Sequence, residues 1–192
     1  MSGFAGLPSL AVCVPTLNAG ALWPEWLERY RAAFGDTRLV VIDSSSDDHT
    51  PALARDAGAE VVSISRAEFD HGGTRDWALR HCGEEVVVFL TQDALPVDEA
   101  SCQALHQAFS NPQVGAAFGR QLPHRDATPV AAHARLFNYP PTSRLMSAAD
   151  IPTLGIKAAF LSNSFAAYRR EALLAVGSFP HGTILSEDMM AG

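Results

Sequence analysis

The chain has 192 residues, with 14 Lys plus Arg against 21 Asp plus Glu, for a formal net charge of −7. With 47% hydrophobic and 18% charged residues it carries enough apolar material for a sizeable core, which excludes a disordered chain. No apolar run approaches the ~18 residues of a membrane span, and Met1 to Leu10 lack the basic region of a secretory signal, so a single cytoplasmic domain is expected.

Leu10 to Val14 is a short apolar run, followed by Pro15-Thr16-Leu17-Asn18 and then by Trp23, Trp26, Leu27 and Tyr30 at helical spacing. This reads as strand, loop, helix. Leu39 to Ile42 forms a second apolar run that stops at Asp43, and the polar stretch Ser44 to His49 leads to Thr50-Pro51, a cap followed by proline at a first helical position. That helix is expected to end near Gly58. Val61 to Ile64 gives a third strand, a loop passes through Gly72-Gly73, and Thr74 to Cys82 has a helical pattern. Val86 to Leu90 is wholly apolar, as in a strand buried on both faces of a parallel sheet. It ends at Thr91-Gln92-Asp93.

Beyond residue 111 the pattern is less regular. Val114 to Phe118 reads as a strand, residues 123–152 as a long loop with a short helix, Ala158 to Tyr168 as extended, and Arg170 to Val176 as helical. Ser186-Glu187-Asp188 reads as the start of a final helix. Four strand-then-helix units in about a hundred residues imply an α/β fold, a Rossmann-like, mostly parallel open sheet flanked by helices.

Charge is uneven. Residues 120–170 contain seven basic residues (Arg120, Arg125, Arg135, Arg144, Lys157, Arg169 and Arg170) against Asp126 and Asp150. The acidic whole disfavours nonspecific nucleic-acid binding, which needs a basic face meeting many phosphates. The basic segment suits a small anionic ligand or is a solvated loop. Cys13, Cys82 and Cys102 are odd in number and widely spaced, which suggests neither a disulfide framework nor a zinc site.

In an open α/β sheet ligands bind beyond the carboxyl ends of the strands, which singles out Asn18, Asp43 and Asp93. The loop after the first strand lacks the glycines of a dinucleotide fold. Lys157 is the only lysine and ends no phosphate-gripping Gly-Lys-Ser or Gly-Lys-Thr loop. Asp93 follows an apolar strand, where a carboxylate needs solvent, a donor or a cation. It is either a ligand for magnesium or manganese, which take oxygen donors and keep waters and phosphates in their shell, or a cap of the next turn. Asp43 carries the same alternatives, with Ser44 to Asp48 competing to cap the following helix. Of Glu187 and Asp188, one suits a helix cap and the other a general base. In Phe69-Asp70-His71-Gly72-Gly73-Thr74-Arg75-Asp76 the paired glycines allow a close approach by ligand, with Arg75 meeting a phosphate or a base carbonyl, or else bridging Asp70 or Asp76 at the surface.

These pieces in this order resemble the inverting family 2 glycosyltransferases of the GT-A fold, and more narrowly their bacterial rhamnosyltransferase-like branch. The resemblance rests on Val14-Pro15-Thr16-Leu17-Asn18, on Val41 to Thr50, on Phe69 to Asp76, on Phe89-Leu90-Thr91-Gln92-Asp93-Ala94, on Asn163 to Arg170 and on Glu187-Asp188. It implies a nucleotide-sugar site of Pro15, Thr16, Asn18, Asp43, Arg75, Gln92 and Asp93, and a divalent cofactor, Mg or Mn, at Asp93. Thr91 stands where the family's Asp-X-Asp motif has its first aspartate. Asp188 corresponds to the carboxylate that takes the acceptor proton, with Glu187 beside it.

The resemblance further implies a donor half over residues 1–110 and an acceptor half over 111–192 of one GT-A domain. The donor is dTDP-L-rhamnose or a UDP-sugar, and the acceptor a glycan or lipid-linked hydroxyl in surface polysaccharide synthesis, reached at the inner face of the membrane by the basic segment. Chains of the family continue past the Glu-Asp motif, so the acceptor half is expected to be incomplete. The competing expectation is a non-catalytic GT-A-like module that binds a nucleotide or a protein partner.

Overall fold

A computed structural model describes residues 6–124, 126–182 and 190. Strands β1 (Leu10–Thr16), β2 (Arg38–Asp43), β3 (Glu60–Ser63), β4 (Val86–Leu90), β5 (Ala116–Phe118) and β6 (Phe165–Arg169) form one sheet in the order β3-β2-β1-β4-β6-β5. β1 pairs in parallel with β2 and β4, and β2 with β3, whereas β6 runs antiparallel to both β4 and β5. Helices α1 (Trp23–Phe34), α2 (Thr50–Asp56), α3 (His71–His81), α4 (Glu99–Gln107), α5 (Pro129–Asn138), α6 (Ile151–Leu154) and α7 (Arg170–Ala175) complete the order, with short 3-10 turns between some of them.

The period-two geometry of a strand divides the apolar runs between two cores. Val12, Val14, Val41, Val86, Val88 and Leu90 face one side, where they meet Trp26 and Tyr30 of α1 and Leu105 of α4. Ala11, Cys13, Val40, Ile42, Val87 and Phe89 face the other, against Ala78 and Leu79 of α3 and Leu173 of α7. A strand with a core on each face has no polar side to alternate with, which is why β4 reads as unbroken hydrophobicity. At about 1.5–3 kcal/mol for each large side chain buried, β1 and β4 are the energetic centre of the sheet.

Helix α1 packs through an aromatic ladder. Trp23, Trp26, Tyr30 and Phe34 recur every three or four residues, and their rings stack in sequence at 4.8, 5.6 and 5.3 Å. The Trp26 indole N–H donates to the Thr91 carbonyl at 3.2 Å, fixing the turn after β4 from below.

Several expected boundaries shift. Helix α2 has His49 at its N-cap and Thr50 already within it, because Asp48 takes the Thr50 amide at 2.9 Å and relieves the threonine of capping. Helix α3 begins at His71, three residues before the expected start, because Asp70 caps it by accepting the Gly73 amide. The segment expected to be extended from Ala158 to Tyr168 opens on the end of a 3-10 turn, Gly155–Ala159, and becomes strand only at Phe165, within Phe165–Arg169. Helices α5 and α6, with the 3-10 turns Ala148–Asp150 and Gly155–Ala159, bury none of their residues.

Candidate functional site

From β1 the chain moves through β2 and β3 to one side, then returns to place β4 on the other. The crevice at such a reversal is where open α/β sheets bind ligands, at the carboxyl ends of the parallel strands. Thr16 and Asp43 end β1 and β2, and Thr91 directly follows β4.

Asp43 is 2% exposed. Its Oδ1 accepts from the Thr16 hydroxyl at 3.0 Å and the Ser46 hydroxyl at 2.6 Å, and its Oδ2 accepts from the Ser46 amide at 2.9 Å. A buried carboxylate is tolerable only when donors replace its water, and these three do so. Ser46 also accepts the Asn18 amide at 2.8 Å, while the Asn18 side-chain oxygen accepts the Asp47 amide at 2.8 Å. The loops after β1 and β2 are thereby one hydrogen-bonded unit. Arg66 braces it by donating to the Ser45 carbonyl and pairing with Asp47.

The turn after β4 joins the same unit through Gln92. Its side-chain oxygen accepts the Leu17 amide at 2.8 Å and its side-chain nitrogen donates to the Leu17 carbonyl at 3.1 Å. Both functions of the Gln92 amide are thus engaged by the loop after β1. Asp93, beside it, is exposed. Among the described residues nothing hydrogen-bonds to its carboxylate, so it faces solvent at the rim of the crevice. Pro15, in β1, is half-buried and pairs in register with Ile42.

Ser46 was not among the candidates from sequence. A serine three residues after a strand-end aspartate is the spacing of a side chain closing a turn on itself, and that signal identifies it. Arg66 carries no such signal, since it reaches Asp47 across 19 positions.

Replacing Asp43 by Ala is expected to destabilise the protein by about 1–3 kcal/mol, since it leaves the buried Thr16 hydroxyl and the two half-buried donors of Ser46 without an acceptor. Urea denaturation measures this, and a loss below about 0.5 kcal/mol, the range of an ordinary surface substitution, would show that the network does not hold the loops.

Arg75 is 5% exposed and donates to the His71 carbonyl at 3.0 Å. Of the two alternatives for Arg75, the surface bridge to Asp70 or Asp76 is absent among the described residues. Asp70 is occupied in capping α3, and Asp76 pairs with Arg80 at 2.9 Å and with His181 at 3.2 Å. Burial opposes the Asp76 charge, but the hydrogen bonds it accepts, led by that from Arg80, hold its carboxyl below the usual carboxylate range. The glycine pair also differs from expectation. A Cβ on Gly72 would collide with the Pro180 carbonyl oxygen, so the close approach there is made by the chain itself.

Glu187, Asp188 and Arg125 lie outside the described residues. The three cysteines are free and buried. The Cys13 and Cys82 sulfurs stand 3.4 Å apart, and that hydrogen bond, together with burial, keeps the Cys13 thiol protonated. Among the described residues no three His, Cys, Asp or Glu gather as a metal cage, and no helix is long and apolar enough to cross a membrane.

A family model described as glycosyl transferase family 2 matches residues 11–177. The chain is 47% identical over 186 residues to the O-antigen chain rhamnosyltransferase WbaN of Salmonella anatum, an alignment covering 95% of this chain and 59% of that protein. It is 46% identical over 184 residues to the O-antigen chain rhamnosyltransferase RfbN of Salmonella typhimurium, covering 94% and 58%. The chain thus spans less than two thirds of the curated relatives it matches. Among solved structures, the mannosyltransferase PcManGT from Pyrobaculum calidifontis, in complex with GDP-Man and Mn2+, superposes with a TM-score of 0.69 at 24% identity, over 97% of this chain and 51% of that one. That likeness is one of fold, and the fold is GT-A.

Proposed function

The chain belongs to glycosyl transferase family 2, and from that membership we propose that it transfers L-rhamnose from dTDP-L-rhamnose to a hydroxyl of a glycan or lipid-linked acceptor. Bacterial surface polysaccharide is the product class, and the anomeric centre inverts. The observation that carries this reading is the bonded seam between Leu17 and Gln92, which joins the loop after β1 to the turn bearing Asp93. Residues 1–110 form the donor half and 111–192 the acceptor half, at the cytoplasmic side of the membrane.

In this reading Pro15, Thr16, Asn18 and Asp43 shape the recess for base and ribose, and Arg75 lies toward the phosphates. Gln92 holds the rim in place. Asp188 hydrogen-bonds the acceptor hydroxyl and takes its proton as the oxygen attacks the anomeric carbon, and the nucleoside diphosphate departs from the opposite face. Glu187 supports Asp188. One base suffices, because a single displacement forms no glycosyl-enzyme intermediate.

The donor set suits a hard divalent ion. Asp93 offers one exposed carboxylate with no competing partner among the described residues, and magnesium or manganese binds through one or two carboxylates with waters and substrate phosphates completing the shell. Bound there, the ion would neutralise charge gathering on the leaving diphosphate.

Contact with the membrane face is supported by the exposed apolar side chains Val130, Phe137, Leu145 and Ile156, which lie among Arg135, Arg144 and Lys157. Exposed apolar groups mixed with cations suit an anionic lipid surface.

Calorimetry with dTDP, UDP and GDP, each with and without manganese, tests the donor assignment. The expected result is manganese-dependent binding of dTDP, with GDP weaker by at least about tenfold, or about 1.4 kcal/mol. Tighter binding of UDP or GDP would overturn the base assignment, and binding of none would overturn the site. Manganese-dependent dTDP binding without transfer of labelled rhamnose in any acceptor extract would favour the non-catalytic module.

A further inference from the structure

A recess of about 270 Å³ opens between α5 and the loop leading into β6, lined by the polar Arg135, Asn138 and Ser162 and by the apolar faces of Tyr139, Phe160 and Leu161. Its walls are fixed by bonds made elsewhere. The rings of Tyr139 and Phe160 meet edge to face at 5.8 Å, and Phe118 closes the trio at 6.2 and 5.5 Å. Arg120 donates through Nε to the Tyr139 carbonyl at 3.0 Å. One amide joins the polar groups, because Gln121 accepts from Arg135 through its side-chain oxygen and donates through its nitrogen to the Ser162 hydroxyl at 2.8 Å. The rest of the Arg135 guanidinium fork and the Ser162 O–H are left to meet a ligand. Helix α5 buries none of its own residues, so the core does not require it at this place, yet three rings and a bonded chain of side chains hold the gap beside it.

The sheet puts this recess at the edge that carries Asp93. Because β6 is antiparallel to β4, its first residue, Phe165, lies opposite Leu90, the last of β4. The Gly119 amide donates to the Phe165 carbonyl at 2.9 Å, which brings the end of β5 to the same edge. With strands spaced by about 4.8 Å, β6 and β5 stand about 5 and 10 Å from β4 in the sheet, on the side away from β1 and β2.

Size and lining select the ligand. Pockets for drug-sized molecules run from about 300 to 1,000 Å³, so this one suits a single ring rather than a nucleotide or an extended glycan. A hexopyranoside has a face of C–H groups that packs on aromatic rings and a rim of hydroxyls that both donate and accept. Guanidinium, amide and hydroxyl side chains supply both functions.

We propose that the recess is a hexopyranoside site that receives a sugar unit of the acceptor, with Tyr139 and Phe160 under the ring and Arg135, Asn138 and Ser162 on its hydroxyls. Its role as an acceptor site rests on the glycosyl-transfer reading above. Gln121 is the positioning residue that aims Arg135.

The test is saturation-transfer NMR on the whole chain with the methyl pyranosides of glucose, galactose and mannose, together with calorimetry of dTDP. At least one pyranoside is expected to bind at millimolar concentration, with its affinity unchanged within about twofold by saturating dTDP and magnesium. Arg135→Ala, at an exposed position, is expected to weaken that binding by about tenfold, as for a lost hydrogen bond from a charged group, and to leave dTDP affinity within about twofold. Phe160→Leu should weaken it as well. Replacing magnesium by manganese in the presence of dTDP is expected to broaden the signals of the bound pyranoside, since the two sites share one edge of the sheet. Binding of no pyranoside, displacement by dTDP, or binding to Arg135→Ala equal to that of the parent overturns the site. Absence of broadening while calorimetry shows dTDP and manganese bound overturns the acceptor role. Binding of a pyranoside that depends on Arg135, in a protein that binds no nucleotide, overturns the transfer reading and leaves the sugar site standing.

Discussion

Asp188→Asn is expected to lower sugar transfer about a thousandfold, within the range a positioned general base contributes, while nucleoside diphosphate affinity changes by less than about twofold. The amide has nearly the shape of the carboxylate, so the substitution changes chemistry more than size. What it lacks is an oxygen able to take the proton from an acceptor hydroxyl. That hydroxyl is a poor nucleophile unless its proton leaves as the new bond forms, and an inverting displacement provides no second step in which the loss can be recovered. In the proposed reading the donor recess is formed by the loops after β1 and β2, so donor affinity is expected to survive the change. Steady-state transfer kinetics and calorimetry on the same preparation separate the two effects. Turnover within about threefold of the parent would remove Asp188 from the chemistry.

Asp93→Ala is expected to lower manganese-dependent turnover by about two to three orders of magnitude with little change in stability. A unit-charge contact at about 4 Å is worth about 4 kcal/mol at an effective dielectric of about 20, and confined to the transition state this is roughly a thousandfold in rate. The carboxylate is exposed and is not part of the hydrogen-bonded loops, so its removal should cost less than about 0.5 kcal/mol of folding free energy. Asp43→Ala should do the opposite first, destabilising the fold. The two variants would thus separate an acid that builds the loops from one that, in the proposed reading, acts from them. A titration of manganese against turnover checks the metal role. A variant whose rate and metal dependence match the parent would exclude Asp93 as the ligand.

The strands were readable where physics leaves one option. Val86 to Leu90 emerges as β4 with the expected bounds because a strand covered on both faces must be apolar throughout. Trp23, Trp26, Leu27 and Tyr30 mark α1 because helical spacing puts them on one face. The antiparallel β6 was not readable, since its direction is set by how the chain returns across the sheet and leaves no mark in the residues themselves. The start of α3 was obscured by Gly72-Gly73, which signals a turn locally but serves a contact with Pro180 that sequence alone does not reveal. At the site, Asp43, Asp93 and Asn18 were identified by their place after strands. The partners that define their roles were not. Thr16 meets Asp43 across 27 positions and Gln92 meets Leu17 across 75, separations at which residue type says nothing about proximity.

Asn18 and Ser45 hold positive φ angles of 47° and 59° without being glycine, and each lies in a loop of the bonded unit around Asp43. Asparagine accepts such backbone readily, but for serine it is unfavourable and persists only where the surroundings enforce it. The rim of the crevice has therefore met its conformational cost during folding. In the proposed reading, a nucleotide would meet loops already ordered by these bonds, and little of its binding free energy would be consumed in ordering them.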